Sequence, residues 1–157
     1  MRSEAAVVDA DPSTEATFHV LDFWLGSWDV LSPTSERLGV NDITAVLGGA
    51  AVIERWRDPA GGEGMSLFYY VAGGLWKQVW VTDDATHKEK MLVGWTPDGS
   101  VVFQGAVPRR GGGTYLDRTT LTRLPGGEVR QVIETSTDGG GTWTVGFDGR
   151  YVRRRAP

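Results

Sequence analysis

The sequence predicts an all-β protein, an antiparallel up-and-down β-barrel of about 8–10 strands with a short N-terminal helix closing one end. Its 157 residues include 22 glycines and 7 tryptophans, a composition typical of short strands joined by tight turns. The strand-like segments are connected by hairpin-length turns, and no helix-length segment separates them, so parallel crossovers are absent. A meander of this kind loses its exposed edges when it closes into a barrel. The alternative architecture is a two-sheet sandwich.

The elements begin with a predicted helix of about two turns, in which Phe18, Leu21 and Leu25 share one face. Such a short helix must pack on another element to be stable. The first strand contains Trp28 and ends near Pro33. The further predicted strands, in chain order, are residues 38–47, Ala51–Arg57, 65–71, Leu75–Thr82, 90–95, 101–107, 113–124, 128–135 and 142–154.

Residues 1–16 are polar and acidic and contain few large apolar side chains. They predict a disordered N-terminal tail ahead of a single barrel domain at residues 17–157. A secretory signal would need a basic head and about 7–15 consecutive apolar residues, and the tail has neither. No window is apolar enough and long enough to span a bilayer, so we expect a cytoplasmic protein with no membrane partner.

Charge and composition exclude several kinds of site. The net charge of −4 provides no broad basic field, so nucleic acid is not an expected partner. The absence of cysteine excludes disulfides, thiolate catalysis and cysteine-based metal sites. The two histidines, His19 and His87, lie on the predicted helix and in a polar turn, and no cluster of metal ligands surrounds either. We therefore expect neither a metal nor a cofactor.

Gly26 and Trp28 stand where the predicted helix meets the first strand. Glycine allows a sharp turn there, and an indole two residues further on can plug one end of a barrel. This pattern resembles the start of the first strand in lipocalin-like (calycin) barrels, which hold small apolar ligands. The alternative is that Trp28 is a large core residue of some other all-β fold.

Residues 136–143 match the pattern Ser-X-Asp-X-Gly-X-Thr-Trp at every specified position. They resemble the Asp-box, a β-hairpin motif repeated in sialidase propellers, in which a carboxylate and hydroxyls bond to turn amides above a tryptophan. A propeller needs several blades of four strands, whereas this chain has one such box and about ten strands. We therefore interpret the box as a structural hairpin.

Taken together, the chain resembles small bacterial lipocalin-like barrels of the calycin superfamily, mostly of unassigned function, here with a single Asp-box hairpin. The segments that carry the resemblance are residues 23–28, 54–56, 76–80, 130–131 and 136–154. It implies a ligand-holding barrel in which Arg153 of the last strand covers Trp28. Nitrobindins, which share such a barrel, bind haem through a histidine near the C-terminal end. This chain has no histidine after His87, so haem is not expected.

Strand alternation predicts which side chains face the barrel interior. In Ala51–Arg57 the arginines mark the outer face, which places Glu54 inside between two apolar neighbours. In Leu75–Thr82 the outward Lys77 leaves Gln78 inside between two indoles. The predicted interior residues of these two strands and of 65–71 are Val52, Glu54, Trp56, Ser66, Phe68, Tyr70, Trp76, Gln78 and Trp80. Weaker predictions on later strands are Val102, Gln104, Arg118, Thr120, Gln131 and Ile133.

These faces predict an aromatic cavity with a few polar groups, the usual composition of a small-molecule pocket. We expect its partner to be a small hydrophobic or aromatic ligand and the protein to be a monomer or homodimer. The predicted ligand-binding residues are Trp56, Phe68, Tyr70, Gln78, Trp80, Gln104, Arg118 and Gln131.

Whether the cavity also carries out a reaction is left open by the residues. Glu54 and Tyr70 are the candidate catalytic side chains, with Glu54 as general acid or base because apolar walls would raise its pKa. The resemblance adds that several lipocalin-like barrels are cyclases or isomerases of natural products, so a cofactor-independent cyclase, isomerase or lyase is the alternative. Glu54 could instead form a buried structural ion pair with Arg118 or another arginine. A barrel filled by side chains would leave nothing to bind.

Overall fold

Ten antiparallel strands make up a closed barrel in the structure, a computed structural model that describes residues 15–96 and 99–155. The strands are β1 (Gly26–Leu31), β2 (Arg37–Val46), β3 (Ala51–Arg57), β4 (Glu63–Val71), β5 (Leu75–Thr82), β6 (His87–Thr96), β7 (Ser100–Pro108), β8 (Thr114–Arg123), β9 (Val129–Ser136) and β10 (Thr144–Arg153).

Each strand pairs with the next in sequence, and β1 also pairs with β10, so the sheet closes on itself. The closing pair aligns Trp28 with Arg153 and Val30 with Tyr151. Closure leaves none of the ten strands with an unpaired edge. The predicted up-and-down barrel is confirmed, and the sandwich alternative is not formed. All ten strands of the predicted domain belong to this one barrel, while residues 1–14 of the predicted tail lie outside the described residues.

Strand direction distinguishes the two ends of the barrel. We call the end at which β1 starts and β10 finishes the closed end, because the N-terminal segment packs there. Successive strands alternate in direction, so the β1–β2, β3–β4, β5–β6, β7–β8 and β9–β10 connections all lie at the opposite, open end. The Asp-box hairpin joins β9 to β10 and therefore belongs to the open end.

The N-terminal segment is less helical than predicted. In place of a two-turn helix it has a four-residue helix, α1 (Glu15–Phe18), followed by a 3₁₀ turn at Asp22–Trp24. Two backbone carbonyls accept indole hydrogen bonds from the barrel: Thr17 O from Trp76 Nε1 at 2.8 Å and Trp24 O from Trp28 Nε1 at 2.8 Å. A segment this short gains little from helix propagation, so contacts with the barrel determine its conformation.

Trp28 plugs the closed end, as the Gly-X-Trp pattern predicts. Its side chain is fully buried, and the Arg153 guanidinium lies 4.3 Å above its ring. Arg153 Nη1 also donates a 3.1 Å hydrogen bond to Leu25 O. Gly26 has a φ of 137°, a backbone conformation that side-chain-bearing residues rarely adopt, so the turn into β1 requires glycine.

The interior of the closed end is filled by side chains. Phe68 is 2% exposed and packs edge-on against Trp24 and Phe103, at ring-centroid distances of 5.5 and 5.2 Å. Tyr70 packs in the same way against Trp76 at 5.6 Å. The apolar core is thus concentrated at this end, and the open end is left with a different, more polar interior. Among the helices of the described residues, none is long and apolar enough to cross a membrane.

Candidate functional site

A cavity of about 320 Å³ occupies the open half of the barrel. Its apolar wall consists of Trp56, Trp80, Ile133 and Phe147. Its polar and charged groups are Glu54, Asp58, Gln78, Lys88, Lys90, Thr119, Gln131 and Tyr151. The barrel interior is therefore divided into a filled apolar half and a hollow half with mixed walls.

Two glycines give the rim indoles room to lie flat against the wall. A Cβ atom on Gly39 would lie 2.6 Å from the Trp56 ring, and one on Gly64 would lie 2.2 Å from the Trp80 ring. Each of these glycines is on a strand next to that of its tryptophan. Because the two glycines have no side chain, the indole rings can lie against the backbone of the neighbouring strand instead of across the cavity. The rings therefore do not fill the cavity.

Glu54 lies in the middle of β3 with its side chain inside the barrel, as predicted, and is 4% exposed. Asn41 Nδ2 donates a 2.7 Å hydrogen bond to Glu54 Oε2, and the Ser66 hydroxyl also bonds to the carboxyl group. Burial raises the pKa of Glu54, while the bonds from Asn41 and Ser66 and the charge of Lys90 oppose the rise. Its hydrogen-bond partners are thus neutral side chains, and the predicted ion pair with Arg118 is not formed.

A chain of hydrogen bonds runs from Glu54 along the cavity floor. Asn41 Nδ2 donates a second hydrogen bond, of 2.9 Å, to the Tyr151 hydroxyl, which donates in turn to Gln131 Oε1 at 2.7 Å. Burial and the nearby Glu54 raise the pKa of Tyr151 well above its usual value, so its hydroxyl stays neutral. On the other side, Gln78 Nε2 donates to Ser66 Oγ at 3.0 Å. This network fixes the orientation of the polar groups around the carboxyl.

The opposite wall carries a cluster that sequence reasoning missed, formed by Lys88, Lys90, Asp117 and Thr119. Asp117 is fully buried; its Oδ2 atom lies 2.7 Å from Lys88 Nζ, and its Oδ1 atom pairs with Lys90. Lys90 Nζ also donates a 2.7 Å hydrogen bond to Thr119 Oγ1. Burial lowers the pKa of Lys90, and the charge of Asp117 opposes this.

The cross-strand register contained a signal for these lysines. Trp80 pairs with Lys88, and Gln78 pairs with Lys90, across the β5–β6 hairpin. Directly paired residues of an antiparallel hairpin share a face. The structure has the turn at residues 83–86 and starts β6 at His87, whereas the predicted strand starts at residue 90; with the observed turn, an inward Gln78 and Trp80 also place Lys88 and Lys90 inside.

The structure brings together part of the predicted site. Glu54, Trp56, Gln78, Trp80 and Gln131 all line the cavity. Of the others, the predicted Phe68 and Tyr70 lie in the filled closed end, apart from the cavity wall.

The predicted inward placement of Gln104 and Arg118 is wrong. These two residues are cross-strand partners on β7 and β8 and alternate with buried residues that do face inward, such as Phe103 and Asp117. Arg118 instead donates a 2.9 Å hydrogen bond to Glu134. A bulge between Leu92 and Gly94 shifts the register of β6 against β7, so unbroken alternation along β6 does not give the inward face of β7.

The Asp-box hairpin has the local structure that its sequence predicts. Asp138 accepts hydrogen bonds from the Ser136 hydroxyl at 2.8 Å, the Thr142 amide at 2.8 Å and the Thr142 hydroxyl at 2.6 Å. These bonds, led by the Thr142 hydroxyl, lower the pKa of Asp138 to about 2. The Arg118 guanidinium lies 3.8 Å above the Trp143 ring. The polar groups of the Asp-box therefore form hydrogen bonds within the turn, and its Trp143 ring packs against Arg118 on the outer wall.

Among residues 15–96 and 99–155, no three histidine, aspartate or glutamate side chains come together as a metal site. No protein-family model matches the sequence, and a search of curated proteins finds no significant match.

Proposed function

We propose that the protein binds a small aromatic molecule in the open-end cavity. The observation that carries this proposal is a 320 Å³ space walled by Trp56, Trp80 and Phe147 and bordered by a few oriented polar groups. Ligand pockets are typically hollows of about 300–1,000 Å³ in which apolar walls provide affinity and sparse polar atoms provide orientation. The volume is at the lower end of that range, which favours a compact ring system.

The arrangement of the rings favours a flat ligand. Trp56 and Phe147 pack edge to face, with 5.8 Å between their ring centroids. The Trp80 ring lies against Gly64 of the neighbouring strand. Aromatic rings in this arrangement can make stacking and edge contacts with a planar ligand. The resemblance to lipocalin-like barrels, which hold small apolar ligands, supports the same function.

A second candidate function is cofactor-independent catalysis on such a molecule, with Glu54 as general acid or base. It is favoured by the position of Glu54, a buried carboxyl on the cavity wall with neutral hydrogen-bond donors and a raised pKa. A carboxyl group poised closer to neutral pH than usual suits proton transfer in an isomerase, cyclase or lyase. Tyr70, the other candidate catalytic residue, lies outside the cavity wall and has no role in this proposal.

Binding is tested by calorimetric titration with compact aromatic compounds of one to three rings. We expect Trp56→Leu to weaken binding by roughly tenfold, because it removes a ring contact from the cavity. Trp143→Leu is the matched control, since its ring lies on the Asp-box hairpin beneath Arg118. Equal affinities of wild type and Trp56→Leu, with Trp143→Leu weakened instead, would place the ligand elsewhere.

Glu54→Gln separates the binder from the enzyme. The substitution keeps the size and the acceptor for Asn41 but removes the transferable proton. In an enzyme it should lower turnover by about a hundredfold or more with affinity largely retained. In a binder only affinity can change, and turnover of any bound compound is absent from the wild type as well.

A further inference from the structure

The two lysines of the cavity wall share a single carboxylate. Lys88 Nζ and Lys90 both pair with the fully buried Asp117. With both lysines protonated, the two ammonium groups exceed the single carboxylate by one positive charge, and an anion beside them would oppose the effect of burial that lowers the pKa of Lys90. Uncompensated charge beside an apolar wall is costly, so a negative group placed there would be strongly favoured.

Lys88 has the capacity to meet such a group. An ammonium offers three N–H donors, and within the described part of the chain Lys88 uses one of them, on Asp117. Its side chain is 22% exposed, against 4% for Lys90, so Lys88 is the more accessible of the two from the open end. Lys90, by contrast, is held by both Asp117 and Thr119.

Neither acidic residue that lines the cavity, Asp58 or Glu54, forms an ion pair with Lys88 or Lys90 in the described part of the chain. Asp58, at the rim, accepts hydrogen bonds from the amides of Ala60 and Gly62 at 2.8 and 2.9 Å and is thereby committed to its own turn. Glu54 bonds to Asn41, and Lys90 acts on it only through space, where its charge opposes the rise in the pKa of Glu54 that burial causes.

Charge and rings are close together in the same space. Lys88 pairs with Trp80 across β5 and β6, and both side chains line the cavity. Trp56 and Phe147 are on β3 and β10, three and four strands away from β6 in the ten-strand ring, and so form the facing wall. The cavity is thus cationic on one side and aromatic on the other.

We infer that the ligand is a planar aromatic anion, such as an aromatic carboxylate, with its anionic group against Lys88 and Lys90 and its ring between Trp80 and the Trp56–Phe147 wall. This inference rests on the proposed binding function and adds the chemical class of the ligand. The anion completes the charge of the lysine pair, and the ring fills the apolar remainder of the cavity.

The test compares 2-naphthoate and 2-naphthalenesulfonate with the uncharged 2-naphthamide by calorimetry. We expect the wild type to bind at least one of the anions about tenfold or more tightly than the amide, as a charge-assisted contact would provide. Lys88→Met and Lys88→Gln should remove this preference, so that the anions bind no more tightly than the amide. Lys77→Met, on the outer face of β5, should retain the preference. Thermal melting of each variant confirms that it is folded.

Two results would overturn the inference in different ways. If the amide binds as tightly as both anions, or if the folded Lys88 variants keep the preference, the ligand is not recognised as an anion, and the binding function stands without it. If neither the anions nor the amide bind at millimolar concentration, the binding function itself fails.

Discussion

Asn41 Nδ2 lies 2.7 Å from Glu54 Oε2 on the adjacent strand, and both side chains are buried inside the barrel. The same nitrogen also donates to the Tyr151 hydroxyl, so both N–H groups of the Asn41 amide form hydrogen bonds that orient cavity residues. This contact orients the Glu54 carboxyl without giving it a counter-charge. Burial without a hydrogen-bonded counter-charge raises the pKa of Glu54.

We expect Glu54→Gln to be more stable than the wild type at neutral pH. Burial raises the pKa of Glu54 in the folded state, so its contribution to stability is full below the unfolded pKa and is lost as the pH rises through the folded pKa. Glutamine has no such loss. The melting temperatures of Glu54→Gln and of the wild type should coincide near pH 4, close to the unfolded pKa of glutamate, about 4.3. They should separate as the pH rises. A less stable variant at pH 7 would mean that Lys90 holds Glu54 as a stabilised anion.

Gly64→Ala should narrow the cavity. The new Cβ atom would lie 2.2 Å from the Trp80 ring, so the indole must move away from the wall. We expect calorimetry to show affinity for an aromatic probe reduced by roughly tenfold, the cost of losing well-placed ring contacts. Gly94→Ala is the matched control, because a Cβ atom there has no heavy atom within 4 Å. Unchanged affinity in Gly64→Ala would show that Trp80 does not define the binding space.

Trp28→Ala should destabilise the barrel by about 3–5 kcal/mol, the usual cost of removing a large buried aromatic side chain. The residue is fully buried, and its loss would also uncover the Arg153 guanidinium that lies over the ring. Urea unfolding measures the change. Val145→Ala, at a side chain that is 54% exposed, should shift the free energy of unfolding by no more than about 0.5 kcal/mol. If Trp28→Ala had the same urea unfolding midpoint as the wild type, Trp28 would not be needed to stabilise the closed end.

Asp138→Ala should lower the melting temperature at neutral pH and leave ligand binding intact. The pKa of Asp138 is depressed to about 2 by its bonds within the hairpin, so the stability it provides is present above its unfolded pKa of 3.8 and is lost as the pH falls toward 2. Melting curves of variant and wild type should therefore converge in acid. Loss of binding with an unchanged melting temperature would assign the Asp-box to the ligand site.

The fold followed from the sequence because turn chemistry and strand alternation agree along most of the chain. On β3 and β5, outward arginines and Lys77 marked the outer face, and this placed Glu54, Gln78 and their neighbouring indoles correctly. The predicted strand in this part of the chain begins only at residue 90, whereas β6 begins at His87, so the prediction leaves Lys88 outside the strand and assigns no face to Lys90. Their burial depends on Asp117, which is 29 residues from Lys88 in sequence and meets it only in the closed barrel.

Errors on β7 and β8 have a different physical origin. A single extra residue between Leu92 and Gly94 reverses which side chains face inward relative to an unbroken alternation. No residue type on its own marks that bulge. Gln104 and Arg118 lie on the two strands that follow this bulge, and Arg118 lies outside, where it covers Trp143.

The pairing of Trp28 with Arg153 also has a consequence for how the chain reaches its native state. β1 is the first strand to be synthesised and β10 is the last, so β1 can pair with β10 only after nearly the whole barrel has been synthesised. Until then the edge of β1 and one side of Trp28 remain open to other chains. Hairpins can form locally and early, but the ring-closing step carries the entropic cost of a very long loop and should be the slowest.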